Sequence, residues 1–131
     1  MNAKALAVTA VVVAAGAIVA AKTMRQRPVE AAAAARSTTP SIVLVADPRE
    51  AGTDCGCGQI IRRVREAKAR GVAVQELGPA DPGAATYRVA VVPTVLVLGT
   101  DGRVVARREG ESRETLAAIT ADLAALESSK R

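Results

Sequence analysis

The two cysteines of this chain, Cys55 and Cys57, flank a single glycine, Gly56, and the 131 residues contain no histidine and no tryptophan. Thiolate is the reactive form of cysteine: it attacks disulfides, closes a bridge to a neighbouring thiol, or ligates a soft metal. Residues two apart form a disulfide only when their Cα atoms come within about 7 Å, and Gly56 permits backbone conformations barred to other residues. Strain at so short a spacing raises the reduction potential, so a bridge here is expected to be easily reduced and comparatively oxidising. If a helix starts at the pair, its free N–H groups and dipole favour the thiolate, while Asp54 opposes it. Cys55 is read as the attacking thiol and Cys57 as the resolving one. The reverse assignment stays open, because Cys57 could sit equally well at a helix start.

A second informative stretch is Val92-Pro93-Thr94, ahead of the apolar run Val95 to Leu98. Proline cannot donate to a sheet ladder, so it belongs at a strand's first residue or on an edge. A bend of this kind is where a cis X-Pro bond is expected, since proline reduces the trans preference to about 0.5–1 kcal/mol.

The elements that would position these residues follow from local pattern. Ile42-Val43-Leu44-Val45 is a continuous β-branched and apolar run, as in a strand buried on both faces. Asp47-Pro48 ends it, and a polar loop with Gly52 leads to Thr53 and Asp54, either of which could cap a helix beginning near the cysteines. Ile60, Ile61, Val64 and Ala67 recur at helical spacing until Gly71. Their helix carries Arg62, Arg63, Arg65, Lys68 and Arg70, which with Glu66 read as a solvated face. Val72 to Leu77 forms a second strand, parallel to the first because a helix connects them. Gly78-Pro79 and Asp81-Pro82-Gly83 are turns, with room for a short helix over Ala84 to Tyr87. Thr94 to Leu98 and Arg103 to Arg108 flank the Asp101-Gly102 hairpin signal and should pair antiparallel. After Gly110, Ser112 opens a helix with Leu116, Ile119, Leu123 and Leu126 on one face.

Residues 1–21 hold an uncharged stretch, Ala5 to Ala21, that would span about 26 Å as a helix. It reads as a single-pass transmembrane anchor, with a cleaved secretory signal as the alternative. Residues 22–40 form a basic and alanine-rich linker, and residues 41–131 a globular domain. Net charge is +5, of which residues 1–40 supply +4 (five Lys or Arg against one Glu) and residues 41–131 +1 (thirteen against twelve). Basic charge therefore belongs to the flank of the apolar segment, where it contacts headgroups or sets topology. With one tyrosine as its sole aromatic, the domain has neither the basic stripe nor the stacking platform of a nucleic-acid binder.

The order β-α-β-α-β-β-α, with cysteines at the start of the first helix and Val92-Pro93-Thr94 before the third strand, resembles the thioredoxin superfamily over about Ser41 to Glu127. Tyr87-Arg88-Val89, Val92-Pro93-Thr94, the apolar strand, Asp101-Gly102 and Gly110 resemble the C-terminal half of a thioredoxin. The resemblance implies an α/β fold with a four-stranded mixed sheet flanked by helices. It also implies that Pro93 is a cis-proline beside the redox centre, and that Val92, Pro93 and Thr94 form the surface that takes an extended substrate. The chain departs from the family in having one residue between its cysteines instead of two, Asp54 in place of a preceding tryptophan, and no acid within Ile42 to Val45.

Three functional readings follow. The first is membrane-tethered thiol-disulfide exchange through Cys55 and Cys57, with a protein thiol or disulfide as partner and no cofactor beyond the redox-active disulfide. The second is a non-catalytic, structural or partner-binding domain whose bridge is an inert staple. The third is a carrier of Cu(I), zinc or an iron–sulfur cluster; two cysteines without histidine cannot close a tetrahedral site, so a second subunit or another molecule would complete it. Charge flanking the apolar segment points to a cytoplasmic domain, whereas an oxidisable cysteine pair points to an extracytoplasmic, periplasmic one. The outward orientation is the one expected.

Overall fold

The computed structural model describes residues 39–131. The apolar segment at 1–21 and nearly all of the linker at 22–40 lie outside the described residues. Among the described residues, no helix is long and apolar enough to cross a membrane.

The chain runs β1 (Ser41–Val45), a 3-10 turn (Pro48–Gly52), α1 (Gly56–Ala69), β2 (Ala73–Leu77), α2 (Pro82–Thr86), β3 (Thr94–Leu98), β4 (Val104–Glu109) and α3 (Arg113–Ser128). The strands form one sheet in the order β2-β1-β3-β4. β1 pairs parallel with β2 and antiparallel with β3, Val43 lying opposite Gln75 and Leu96, and β3 pairs antiparallel with β4. β1 and β3 are thus the inner strands, which is why their sequences are apolar at consecutive positions.

Alternation along β1 divides the core into two layers. Ile42 and Leu44 join Ile60, Ile61, Val64 and Ala67 of α1 and Ile119, Leu123 and Leu126 of α3 on one face. Val43 and Val45 face the other way, where Leu77, Ala84, Leu96 and Leu98 bury together with Tyr87 and Val89 against them. α1 and α3 therefore cover one face of the sheet, and the short α2 with its following loop covers the other. Tyr87 is a packing residue here, as the proximity of the proline bend suggests.

The β3–β4 hairpin and the start of α3 have the chemistry their residues predict. Asp101 Oδ1 accepts from Arg103 N–H at 3.0 Å, and Gly102, at φ +77°, donates to Gly99 O at 3.0 Å, which brings β4 back beside β3. Ser112 caps α3, its hydroxyl accepting from Thr115 N–H at 3.1 Å.

The basic face of α1 is solvent-exposed, as expected, with Arg63 3.5 Å from Glu66, and it also reaches acids on neighbouring elements. Arg65 and Lys68 both reach Glu76 on β2, at 2.9 and 3.4 Å, and Arg70 pairs with Glu127 of α3 at 2.7 Å. Arg108 of β4 reaches Asp122 of α3 at 2.9 Å. Long basic side chains lie along the helix and place their charged ends on neighbouring elements. The hydrogen bond from Arg65 holds the Glu76 carboxyl below its ordinary range, that from Arg70 does the same for Glu127, and that from Arg49 holds Asp47 at about 2. A carboxylate whose folded pKa is depressed contributes stability above its unfolded pKa and loses it as pH falls through the folded value. The midpoint of urea unfolding is therefore expected to be flat from pH 7 to about 5 and to drop between about pH 4 and 2. Each pair is largely exposed, so each contribution is modest. An unchanged midpoint at pH 2.5 would contradict the assignment.

Candidate functional site

The site is built at the N-terminus of α1. Cys55 is the N-cap residue, with extended backbone (φ −71°, ψ 169°), and its sulfur faces the Gly58 N–H at 3.5 Å. The sequence suggested Thr53 or Asp54 for that position. Thr53 instead closes the preceding 3-10 turn: its hydroxyl donates to Glu50 O at 2.6 Å and so is unavailable to the helix. Cys57 is the second helical residue and is buried, whereas Cys55 is exposed. Cys55 and Cys57 form a disulfide, their Cα atoms 5.4 Å apart, inside the range such bridges occupy.

The turn and the helix start are locked together around this bridge. Thr53 Oγ1 lies 2.9 Å from Cys55 Sγ and 3.8 Å from Cys57 Sγ. Nearly two turns into α1, Arg62 donates to the carbonyls of Ala51 and Thr53, both at 2.8 Å. Gly58 is required by close approach, since a Cβ there would fall onto Thr53 O and lie 2.8 Å from Glu50 O.

Across from the pair sits the β4–α3 connection. Cys57 N–H donates to Glu111 Oε2 at 3.1 Å, and a Cβ on Gly56 would fall onto the Glu111 carbonyl, with the Glu111 Cβ at 2.8 Å. Glu111 was not among the residues the sequence singled out. The signal for it was weak: an acid directly after the strand-ending Gly110, at the sheet end where α1 begins.

Pro93 is buried immediately before β3, and the Val92–Pro93 peptide bond is cis. Its carbonyl accepts from Gly110 N–H at 2.9 Å, and Gly110, at φ +81°, adopts a backbone that favours glycine. The next residue is Glu111, so a short path of contacts, Pro93 to Gly110 to Glu111 to Cys57, ties the proline bend to the cysteine pair. Val92 is exposed beside it. Thr94 is fully buried, and its hydroxyl donates to Val91 O at 2.5 Å, so it braces the bend from inside.

The sulfurs of Cys55 and Cys57 and a carboxylate oxygen of Glu111 lie within 4.8 Å of one another. Such a set offers two sulfur donors and one oxygen donor only after the bridge is reduced, because each sulfur is otherwise bonded to the other.

Sheet order, the parallel β1-α1-β2 unit, the antiparallel β3-β4 hairpin leading into α3, and a cysteine pair at the head of α1 together define a thioredoxin-like α/β domain. No protein-family model matches the chain. No curated protein matches it. Among solved structures it is similar to a disulphide isomerase from Xylella fastidiosa Temecula1, at 16% identity and a TM-score of 0.43, over 78% of this chain and 89% of that one. The fold class rests on strand order and connections, not on that likeness.

Proposed function

We propose that the domain carries out thiol-disulfide exchange through Cys55 and Cys57. The observation that carries this is the asymmetry of the bridge: one sulfur is exposed at the helix cap and its partner is buried behind it. In the reduced state the Cys55 thiolate attacks a substrate disulfide, forming a Cys55–substrate bond as one substrate sulfur leaves with the electron pair and takes up a proton. The Cys57 thiol then loses its proton and attacks Cys55 Sγ. The internal bridge forms, the second substrate sulfur leaves as a thiolate and is protonated, and the substrate disulfide has become two thiols while the cysteine pair has become a disulfide. Run backwards, the same steps oxidise a substrate dithiol.

Val92, exposed beside the buried Pro93, is the part of the bend open to an extended protein substrate, whereas Thr94 is enclosed and the Pro93 carbonyl is committed to Gly110. The partner in this reading is a protein thiol or disulfide. Residues 5–21 serve as a membrane anchor that holds the domain on the extracytoplasmic side. Flotation of the full chain with lipid vesicles, lost on deletion of residues 1–21, is the expected result for the anchor.

The test of exchange is catalysed reduction of insulin by the full-length protein with a dithiol reductant, combined with a redox titration and metal analysis of anaerobically purified protein. Catalysis above the reductant alone, in a metal-free protein, is the expected outcome. A stable bridge with no catalysis would favour the inert staple. Zinc or copper copurifying with the reduced pair would favour metal carriage.

A further inference from the structure

We infer that Glu111 sets the protonation of the cysteine pair: its charge, held against the N-terminus of α1, keeps both thiols protonated to higher pH and lowers the reduction potential of the bridge. This deepens the exchange reading and rests on the same two cysteines.

A helix N-terminus ordinarily favours a thiolate, because its free N–H groups point at the sulfur. Here those donors are divided. The Cys57 N–H is taken by Glu111 Oε2 at 3.1 Å, leaving Cys55 Sγ the longer contact from Gly58 N–H at 3.5 Å. Thr53, the other polar side chain at the sulfurs, has its one hydroxyl proton on Glu50 O. It therefore presents lone pairs to sulfur, which a thiol S–H can use as an acceptor and a thiolate cannot. Glu111 adds a negative charge within 4.8 Å of both sulfurs, and a like charge at that range disfavours the ionised thiol.

Among the described residues no cation pairs with Glu111. Arg49 pairs with Asp47, Arg62 is held by the carbonyls of Ala51 and Thr53, and Arg107 is held by Glu109 and the Tyr87 carbonyl. Glu50 and Asp54 on the turn side add negative charge. Arg113, at the start of α3, makes no ion pair among the described residues.

Conversion of the bridge to the dithiol takes two electrons and two protons; if one sulfur stays ionised, it takes two electrons and one proton. A group that destabilises the thiolate therefore destabilises the reduced state wherever that thiolate would form, and shifts the exchange equilibrium toward the disulfide.

Glu111→Gln removes the charge and keeps an oxygen that can accept from the Cys57 N–H, whereas Glu111→Ala removes both. The experiment measures the pH dependence of alkylation of the pre-reduced full-length chain by iodoacetamide, read by mass, and the equilibrium with reduced and oxidised glutathione at pH 8. Both variants are expected to move the alkylation midpoint to lower pH. They should show roughly tenfold more thiolate at a pH below the midpoint, and a several-fold smaller equilibrium constant for disulfide formation. A Glu111→Gln profile that superimposes on wild type overturns the inference, including the case in which Glu111→Ala alone shifts, since that would assign Glu111 a positioning role through its hydrogen bond. Alkylation needs no exchange partner, so the two readings fail separately. A shifted profile in a protein inactive on insulin sinks exchange and leaves the charge effect, and an active protein with an unshifted profile does the reverse.

Discussion

Cys55→Ser is expected to abolish insulin-disulfide reduction, a loss of at least about a hundredfold, because a serine alcohol cannot replace a thiolate nucleophile. The assignment of Cys55 as attacker comes from access: it is exposed at the cap, whereas Cys57 is only 7% exposed behind it. Cys57→Ser should behave differently. Its remaining Cys55 thiol can still open a substrate disulfide but has no internal thiol to release the product, so a mixed disulfide should accumulate and be visible by mass under non-reducing conditions. Trapping by Cys55→Ser, with Cys57→Ser inert, would exchange the two roles. Full activity in both single variants would remove the cysteine pair from the reaction altogether.

Gly58→Ala should damage fold and site together. Alanine is ordinarily favoured over glycine inside a helix by about 1 kcal/mol, so a stabilised variant would be the expectation from helix propensity alone. Here the added Cβ meets the Thr53 carbonyl, with Glu50 O at 2.8 Å and Thr53 Oγ1 at 2.9 Å. Two of these are backbone atoms of the 3-10 turn, which Arg62 also ties to α1, so relief requires the turn to move as a unit. Overpacking of this kind costs about 1–3 kcal/mol, which for a domain of this size lowers the thermal midpoint by roughly 4–8 °C for each kcal/mol. The same movement carries Thr53 away from the sulfurs, so the rate of bridge reduction should change as well. Gly52→Ala is the control: nothing lies within 4 Å of its Cβ position, and its midpoint should stay within about 0.5 kcal/mol of wild type. Equal stability of Gly58→Ala and Gly52→Ala would mean that the turn is not packed against the helix as described.

Much of the scaffold could be read along the chain because its signals are local. Ile42 to Val45 and Val95 to Leu98 are apolar at every position because they are the two inner strands. Asp101-Gly102 marks a hairpin because its geometry needs a positive φ at the glycine. Ile60, Ile61, Val64 and Ala67, and Ile119, Leu123 and Leu126, repeat as the buried faces of α1 and α3 do. The cap of α1 was misplaced because Thr53 and Asp54 are the stronger capping residues by type, and only the 3-10 turn, which engages the Thr53 hydroxyl, passes that position to Cys55. The basic face of α1 is solvated as its sequence reads, but its acid partners Glu76 and Glu127 could not be read because they are distant in sequence.

By itself the sequence determined an α/β domain with a four-stranded mixed sheet flanked by helices, a cysteine pair at a helix start and a proline bend before a buried strand, because periodicity, turn residues and burial are properties of short segments. Tertiary structure decided which sulfur is exposed, that Thr94 is enclosed within the bend, and that Glu111, 54 residues beyond Cys57, holds its amide. Those outcomes depend on where separate segments meet, and the field at the sulfurs is the sum of dipoles and charges from the turn, the helix and the β4–α3 loop, which no single stretch of chain encodes.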